Sequence, residues 1–444
     1  MQSKSAFFTN RRRAGDNNMP FAVLVCLILS LLFSLIPGRA AAEELNLQSL
    51  IDEALQKNPE ILAARARDDA FRYKIPQAES LPDPMVTFGY QNEGWEKYTY
   101  GEKQGAQWIF SASQMFPYPG KLGLRGEMAE RDAESQSAMS ASVRLQVIAK
   151  VKMLYYDLFL AYKSIDLLRD KTILFDRIED AAVARYASGM GMQEEILMAQ
   201  TEKYMLIEKE EMQKQKIQAA EAMLNSTVGR DLNAPIGRPA EFSRTFKGSM
   251  EEILSVAYQN SPEIKSKEKM ISAAEAKVKI AQKEYYPDFT INAGYFKRAG
   301  EFEDMWSLTT TINIPLFYKT KQRQAVLEAE VNLLAARHEL EAVKFMLSAG
   351  IRDNYSMYKS AERLMELYRN GLIPKTSQDF ESAISGYTAG KVDAITAINR
   401  LKTLIDLELS YWGQLVEREK AMARFEAMAG FTIQDSEVRS QGEK

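Results

Sequence analysis

Between Lys121 and about Gly189, apolar and polar positions alternate at helical period without a break. Val143, Val147, Val151, Leu154, Leu158, Ile165 and Leu168 step by three, four or seven residues, the spacing that lines one face of an α-helix. Arg144, Lys152, Asp157, Asp166 and Asp170 fall between them. The run holds no proline, and Gly123 and Gly126 are confined to its start. At about 1.5 Å per residue, a helix over Lys121–Ala187 is a rod about 100 Å long. Ordinary helices stop at about 10–14 residues, so this rod needs a partner along its whole length.

The elements around the rod follow one order twice. A helix from Leu47 to about Ser80, interrupted at Asn58-Pro59, leads to the proline-marked exit Leu81-Pro82-Asp83-Pro84. Alternating segments Met85–Gln91 and Gln107–Phe116 then predict a β-hairpin over 85–117, with aromatics at its ends. The rod follows, then a turn at Ala187-Ser188-Gly189-Met190-Gly191, then a return helix from Gln193 to about Val228, closing a helical hairpin over 121–229. In the second half the same order predicts a helix from Met250 to about Tyr285, broken at Ser261-Pro262, and a β-hairpin over 288–316. A helical hairpin over 319–430 follows, turning at Thr388-Ala389-Gly390-Lys391. Gly371 and Pro374 predict a kink or offset in the second rod.

Direct residue matches show the duplication. Asn58-Pro59-Glu60-Ile61 returns as Ser261-Pro262-Glu263-Ile264 at an offset of 203, and Gly89-Tyr90 as Gly294-Tyr295 at 205. Trp108, Pro117, Lys121 and Arg125 return as Trp306, Pro315, Lys319 and Arg323 at 198. Tyr162-Lys163-Ser164 returns at 196, and Tyr186, Gly189 and Gly229 return at 201. Matches that stay collinear mark a tandem repeat, here 43–240 and 241–432, ahead of a polar tail at 433–444 that reads as disordered.

Residues 1–42 read as a secretory signal: Lys4 and Arg11 to Arg13, an apolar core from Phe21 to Ile36, and Ala40-Ala41-Ala42 as the cleavage site. An uncleaved anchor is the other reading. The one cysteine, Cys26, lies in that core after Val25, which argues against lipid modification. The mature chain then holds no cysteine, hence no disulfide and no thiolate metal site. It is mildly acidic with both signs interleaved, which argues against a nucleic-acid partner. No later segment has about 18 consecutive apolar residues.

Two helical hairpins bury one stripe each, and two β-hairpins supply four strands. A four-stranded sheet has unpaired edges, which hydrocarbon does not tolerate. If the strands lie in a membrane, several chains must complete the barrel: two give eight strands, three give twelve. A soluble sheet capping a helical bundle, in a periplasmic coiled-coil scaffold, is the alternative at this stage.

Several motifs on this frame resemble the TolC-type outer-membrane efflux family over nearly the whole mature chain. They are Ala54-Leu55 with Asn58-Pro59-Glu60, Gln114 with Phe116-Pro117-Tyr118-Pro119-Gly120-Lys121, and Arg185-Tyr186 with Gly189-Met190. Ala222-Met223-Leu224-Asn225 with Gly229-Arg230, and Tyr387 with Gly390-Lys391-Val392-Asp393, complete the set. The resemblance implies a mainly α fold with a β-barrel portion: a long antiparallel coiled-coil α-barrel and four membrane strands per chain, completed as a 12-stranded barrel in a homotrimer. It implies a passive outer-membrane efflux duct extending into the periplasm, without enzymatic activity or cofactor. Its partners would be a periplasmic adaptor protein and an inner-membrane pump, with outer-membrane lipid around the barrel. Ile373-Pro374-Lys375 ahead of Tyr387 and Gly390 is similar to the branch serving heavy-metal and cation pumps of the resistance-nodulation-division type. A duct for type I protein secretion shares the fold.

On this reading the hairpin tips carry the candidate adaptor contacts Arg185, Tyr186, Gly189, Met190, Tyr387, Gly390 and Lys391. Trp95, Trp108, Phe116, Trp306 and Phe317 are candidate membrane-interface aromatics. Glu194, Glu195 and Asp393, with Lys391, are candidates for a charged gate, since a ring of like charges concentrates the field in a narrow pore. The family's gate aspartates have no acidic match here: Thr396 and Asn399 stand at that spacing. Asp393 also suits a plain helix N-cap. Met190, Met192, Met198, Met205 and Met212 read as interhelical packing in preference to a metal track. His338, within Ala335-Ala336-Arg337-His338-Glu339, reads as a solvated helix residue and supplies no catalytic set.

Overall fold

A computed structural model describes residues 45–242, 246 and 248–431; the expected leader and polar tail lie outside them. The first half runs α1 Leu47–Lys57, α2 Pro59–Arg72, α3 Lys74–Glu79, β1 Met85–Gln91, β2 Gln107–Phe116, α4 Lys121–Ala187 and α5 Gln193–Val228. The second runs α6 Met250–Asn260, α7 Pro262–Lys283, β3 Asp288–Lys297, β4 Met305–Asn313, α8 Gln322–Leu367, a π turn Tyr368–Leu372, α9 Ile373–Thr388 and α10 Ala394–Ala429.

Local chemistry sets the ends. Asn58 closes α1 and caps α2, accepting from the Ile61 N–H at 2.9 Å with Pro59 at the first helical position. α6 begins with a reciprocal capping box between Ser249 and Glu252. Gly229 and Gly430 end the return helices at φ 88° and 78°. A Cβ at either would strike a backbone carbonyl, that of Lys57 at 2.7 Å or of Asn260 at 2.5 Å, so the two repeats close in the same way.

Three expectations are corrected. The first helix is broken at Tyr73 as well as at Asn58. The last strand ends at Asn313, not Leu316, because Pro315 has no N–H for the ladder and the chain turns from Ile314 onward. The second rod begins at Gln322, not Lys319, after a turn in which Thr320 and Lys321 both donate to the Phe317 carbonyl. The break expected near Gly371 and Pro374 is a π turn with helical dihedrals on both sides. Pro374 cannot donate to Asn370, and its ring crowds that carbonyl. Widening the preceding turn relieves the clash without ending the helix.

The helices form a wall with two free flanks. In the half next to the strands, α4 packs between α2 and α7, and α7 packs on α8. In the half toward the tips, α4 packs between α5 and α10, and α10 packs on α8 and α9. The sheet repeats this, with order β1-β2-β3-β4, every neighbour antiparallel. One face of the sheet carries Val86, Phe88, Tyr90, Phe110, Phe289, Ile291, Leu308 and Ile312, while Thr87, Ser111, Ser113, Asn292, Thr309 and Thr311 line the other. The apolar face is bare: Val86 is 80% exposed and Leu308 65%.

Lys121 joins sheet to wall. Its ammonium, 1% exposed, donates to Asp288 at 2.9 Å, Glu284 at 3.1 Å and the Tyr286 carbonyl at 3.3 Å, all in the second repeat. Asp288 also accepts from the Tyr118 N–H at 2.7 Å. Along the seam of α4 and α10, Lys152 pairs with Glu426 at 2.5 Å, Asp157 with Lys420, and Lys171 with Glu408 at 2.7 Å.

Two predictions follow from these pairs. The Lys152 and Glu426 side chains are only 7% and 4% exposed, so Lys152→Met, which strips the cation from a buried carboxylate, is expected to cost about 3–5 kcal/mol. Replacing both by apolar residues of similar volume should recover most of that loss; thermal unfolding in detergent compares them. At the same level of the wall, where α5 ends, the Arg230 guanidinium, helped by Lys57, lowers the Glu53 carboxyl from 4.5 to about 2. A depressed carboxyl stabilises the fold fully above its unfolded value and loses that contribution as pH falls from 4.5 toward 2. Glu53→Gln should flatten the melting temperature across that window, and an unchanged pH profile would refute the assignment.

Candidate functional site

The far end of the wall brings the two helical turns together. Each turn needs one residue in the left-handed region, and Gly189 and Gly390 supply it, both at φ 73°. Gly189 has open space around it, whereas a Cβ on Gly390 would sit 3.0 Å from the Arg185 guanidinium.

Arg185 holds the turns to each other. One terminal nitrogen donates to the Tyr387 carbonyl at 2.9 Å and the other to the Met190 carbonyl at 3.0 Å. The guanidinium also lies 4.9 Å from the centre of the Tyr387 ring. The Tyr387 hydroxyl donates to Glu195 at 3.0 Å. Burial first, and then the neighbouring Glu195 carboxylate, push the Tyr387 phenol up to about 12, so it remains a neutral donor at physiological pH. The cluster spans both repeats and three of the four helices that meet at the tip.

This arrangement sorts the candidates. Tyr186, Gly189, Met190, Gly390 and Lys391 are exposed at the turns. Tyr387 does not belong to that surface: it is 0% exposed and packs among Phe380, Ile384 and Ile398. Arg185 is half-buried, with both terminal nitrogens bonded within the tip. Of the gate candidates, Glu194 is exposed, Glu195 is tied to Tyr387, and Asp393 caps α10 by accepting from the Thr396 N–H at 3.0 Å. The Thr396 hydroxyl first, and then this N–H, hold the Asp393 carboxyl below its ordinary value. Sequence reasoning placed Gly191 in the turn but not its close packing, where a Cβ would lie 2.9 Å from both Arg185 and Glu195. It also misread the methionines: Met198 packs in the tip core, but Met190, Met192, Met205 and Met212 are exposed on the chain. His338 is exposed beside Glu341 at 3.3 Å, as a solvated helix histidine would be.

At the opposite end, aromatic rings sit at both ends of the strands. Phe116 stacks on Phe289 at 5.5 Å near the helices, and Trp108 stacks on Phe88 at 5.4 Å and contacts Tyr90 at 5.1 Å toward the loops. Trp306 is 79% exposed at the end of β4; Trp95 and Phe317, also exposed, lie off the strands, in the first loop and in the turn after β4. Polar residues on one sheet face and bare apolar residues with terminal aromatics on the other are the pattern of a membrane barrel wall. Among the described residues no helix is long and apolar enough to cross a membrane.

Residues 50–230 and 253–399 match the outer membrane efflux protein family. The chain belongs to that family. The cobalt-zinc-cadmium resistance protein CzcC of Cupriavidus metallidurans is 22% identical over 406 residues, covering 88% of this chain and 91% of the relative. The nickel-cobalt-cadmium resistance protein NccC of Alcaligenes xylosoxydans is 22% identical over 350 residues, covering 76% of each. Among solved structures, CusC, described in terms of transmembrane channel formation, superposes with a TM-score of 0.76 at 14% identity, over 87% of this chain and 92% of its own. The fold is therefore that of a TolC-like outer-membrane channel, and the protein is an outer-membrane protein whose helices extend into the periplasm.

The tip cluster makes a prediction. Tyr387→Phe removes a hydrogen bond to a carboxylate, worth about 1.5–3 kcal/mol. Amide exchange in the turns around Gly189 and Gly390 should accelerate roughly tenfold or more, while the strands stay protected. Unchanged exchange at the turns would mean that the bond does not hold them.

Proposed function

We propose that this chain is the outer-membrane duct of a tripartite heavy-metal efflux system. Three copies close their twelve strands into one barrel and their helical walls into one periplasmic conduit. The observation that carries this reading is the bare apolar sheet face with two unpaired edges, set on a helical wall that also has two free flanks. The conduit is passive, and an inner-membrane pump of the resistance-nodulation-division type supplies the energy. The likeness to CzcC and NccC supports divalent metal cations as the cargo.

A periplasmic adaptor docks on the exposed turn residues Tyr186, Gly189, Met190, Gly390 and Lys391, with Arg185 and Tyr387 fixing the turns beneath it. Glu194 and Asp393 contribute negative charge to the closed end, and Glu195 acts through its bond to Tyr387. Around a three-fold axis such carboxylates form a ring that attracts cations.

Deleting this chain from its host should lower tolerance to cobalt, zinc or cadmium, and expression of the chain should restore it. Sensitivity confined to organic compounds would overturn the metal assignment. A photocrosslinker at Met190 should capture the adaptor; a working pump with no adduct would move docking elsewhere. In lipid bilayers, Asp393→Ala should raise the conductance of the closed channel and weaken block by divalent cations. If both stay at the parent value, Asp393 is a helix cap and nothing more.

A further inference from the structure

At the foot of the junction between β2 and β3, one cation has no acidic partner. Lys283 ends α7, and its ammonium lies 5.3 Å from the centre of the Tyr118 ring and 5.6 Å from that of Tyr286, within cation–π range of both. The two rings stack on each other at 4.5 Å. The carboxylates of the junction are committed elsewhere: Asp288 to Lys121 and the Tyr118 N–H, Glu284 to Lys121 and Arg125. Among the described residues no carboxylate pairs with Lys283, and neither phenol hydroxyl is hydrogen-bonded.

These groups continue an ordered series. Phe116 and Phe289 close the β2–β3 ladder on the apolar sheet face and stack at 5.5 Å. The tyrosine pair comes next toward the helices, with Tyr286 48% exposed, and Lys283 at the end of α7 comes last. From strands to helices the chain thus presents apolar rings, then hydroxyls, then a positive charge. A phospholipid in the leaflet facing the periplasm presents acyl chain, ester and phosphate in the same order. The repeats supply a control. At the offsets 198 and 205, Lys121, Glu284 and Asp288 have the charged matches Lys319, Glu79 and Asp83. At the same offsets Tyr118, Tyr286 and Lys283 meet Leu316, Leu81 and Ala78. The duplicated frame keeps its ion-pairing residues at both places and has the aromatic pair with its lysine at one, so the frame itself does not require them.

We propose that Lys283, Tyr118 and Tyr286 form a headgroup site for an anionic phospholipid on the periplasmic side of the outer membrane. The ammonium pairs with the lipid phosphate, whose charge takes the place of the missing carboxylate. The phenol hydroxyls donate to phosphate or ester oxygens, and the Phe116 and Phe289 rings lie along an acyl chain. The stacked ring faces hold the ammonium at headgroup level while its aliphatic stem stays against apolar surface. A phosphatidylglycerol headgroup suits the site, because it carries no amine of its own to neutralise the phosphate. The site depends on the membrane placement of the strands and on neither cargo nor adaptor.

The test titrates the full chain, purified in detergent and stripped of lipid, with phosphatidylglycerol and separately with phosphatidylethanolamine, and counts bound lipid by native mass spectrometry. Phosphatidylglycerol should be retained in preference. Lys283→Ala should weaken its binding roughly fivefold, and Lys283→Arg should restore it. Tyr118→Phe with Tyr286→Phe, which keeps the rings and removes the hydroxyls, should bind at an intermediate level. Lys279→Ala removes a cation one turn away that is paired with Glu127 at 3.6 Å, and should bind as the parent does. Without lipid, Lys283→Ala should unfold at the parent's temperature; a lower temperature with unchanged lipid binding would make Lys283 a structural clamp and overturn the proposal. Inorganic phosphate in excess should leave the lipid bound, and full displacement would make this a free-anion site instead. If Lys283→Ala keeps the parent's lipid binding, the site is wrong while the membrane placement stands. If the parent retains neither lipid, the membrane placement fails and the site with it.

Discussion

Backbone polar groups in hydrocarbon must find partners, and the structure depends on this constraint more than on any side chain. β2 and β3 have neighbours on both sides, but β1 and β4 each leave one row of N–H and C=O groups open. In water such edges invite aggregation; in lipid each unsatisfied group costs several kcal/mol. The apolar sheet face demands lipid and the open edges forbid it to a lone chain. Only a closed ring of sheets meets both demands, so the assembly is implied by the same strands that enter the membrane.

The helical wall answers a different requirement. A stripe of Val, Leu and Ile along a rod of about 100 Å gives adhesion with little control over sliding, since one heptad resembles the next. The buried and half-buried ion pairs supply that control. Lys152–Glu426, Asp157–Lys420 and Lys171–Glu408 recur down the α4–α10 seam, and a shift of one turn would leave several charges unpaired in apolar surroundings. Lys121 at one end of α4 and Arg185 at the other tie the rod to the second repeat. The distance from membrane to tip is thereby set by polar pairs, while the adhesion comes from the apolar stripe.

The chain's periodicity made the rods, turns and strands legible, because each is a local signal: apolar spacing, a glycine at a left-handed position, a proline that stops a ladder. The α4 limits at Lys121 and Ala187 were readable for that reason. What stayed hidden depends on neighbours far away in sequence. Lys121 reads as a solvated lysine until Asp288 and Glu284 surround it, and Tyr387 reads as a surface tyrosine until the other hairpin's Arg185 and Glu195 cover it. The π turn was half legible: Pro374 announced a disturbance, but whether a helix kinks or widens there is decided by the packing on both sides. The exposed methionines of α5 were misjudged because helical spacing marks a face without saying whether the partner lies in the same chain.

The inequality between the repeats carries its own information. Two copies that started alike should bury alike if both junctions were internal. Instead, the α4 row is polar and small where α7 covers it, with Ser135 and Ser266 hydrogen-bonded, and the matching α8 row has turned to Leu327, Val331 and Leu334. A lone chain gains nothing from bare aliphatic side chains on a periplasmic helix, and exposed patches of that kind mark contact surfaces. The same holds for Lys121 and Lys319. The first is buried at a junction made within the chain, and the second is exposed where the junction is missing. Duplication thus gave the protein two similar halves, and the residues at which they diverge mark the boundary between joining within one chain and joining between chains.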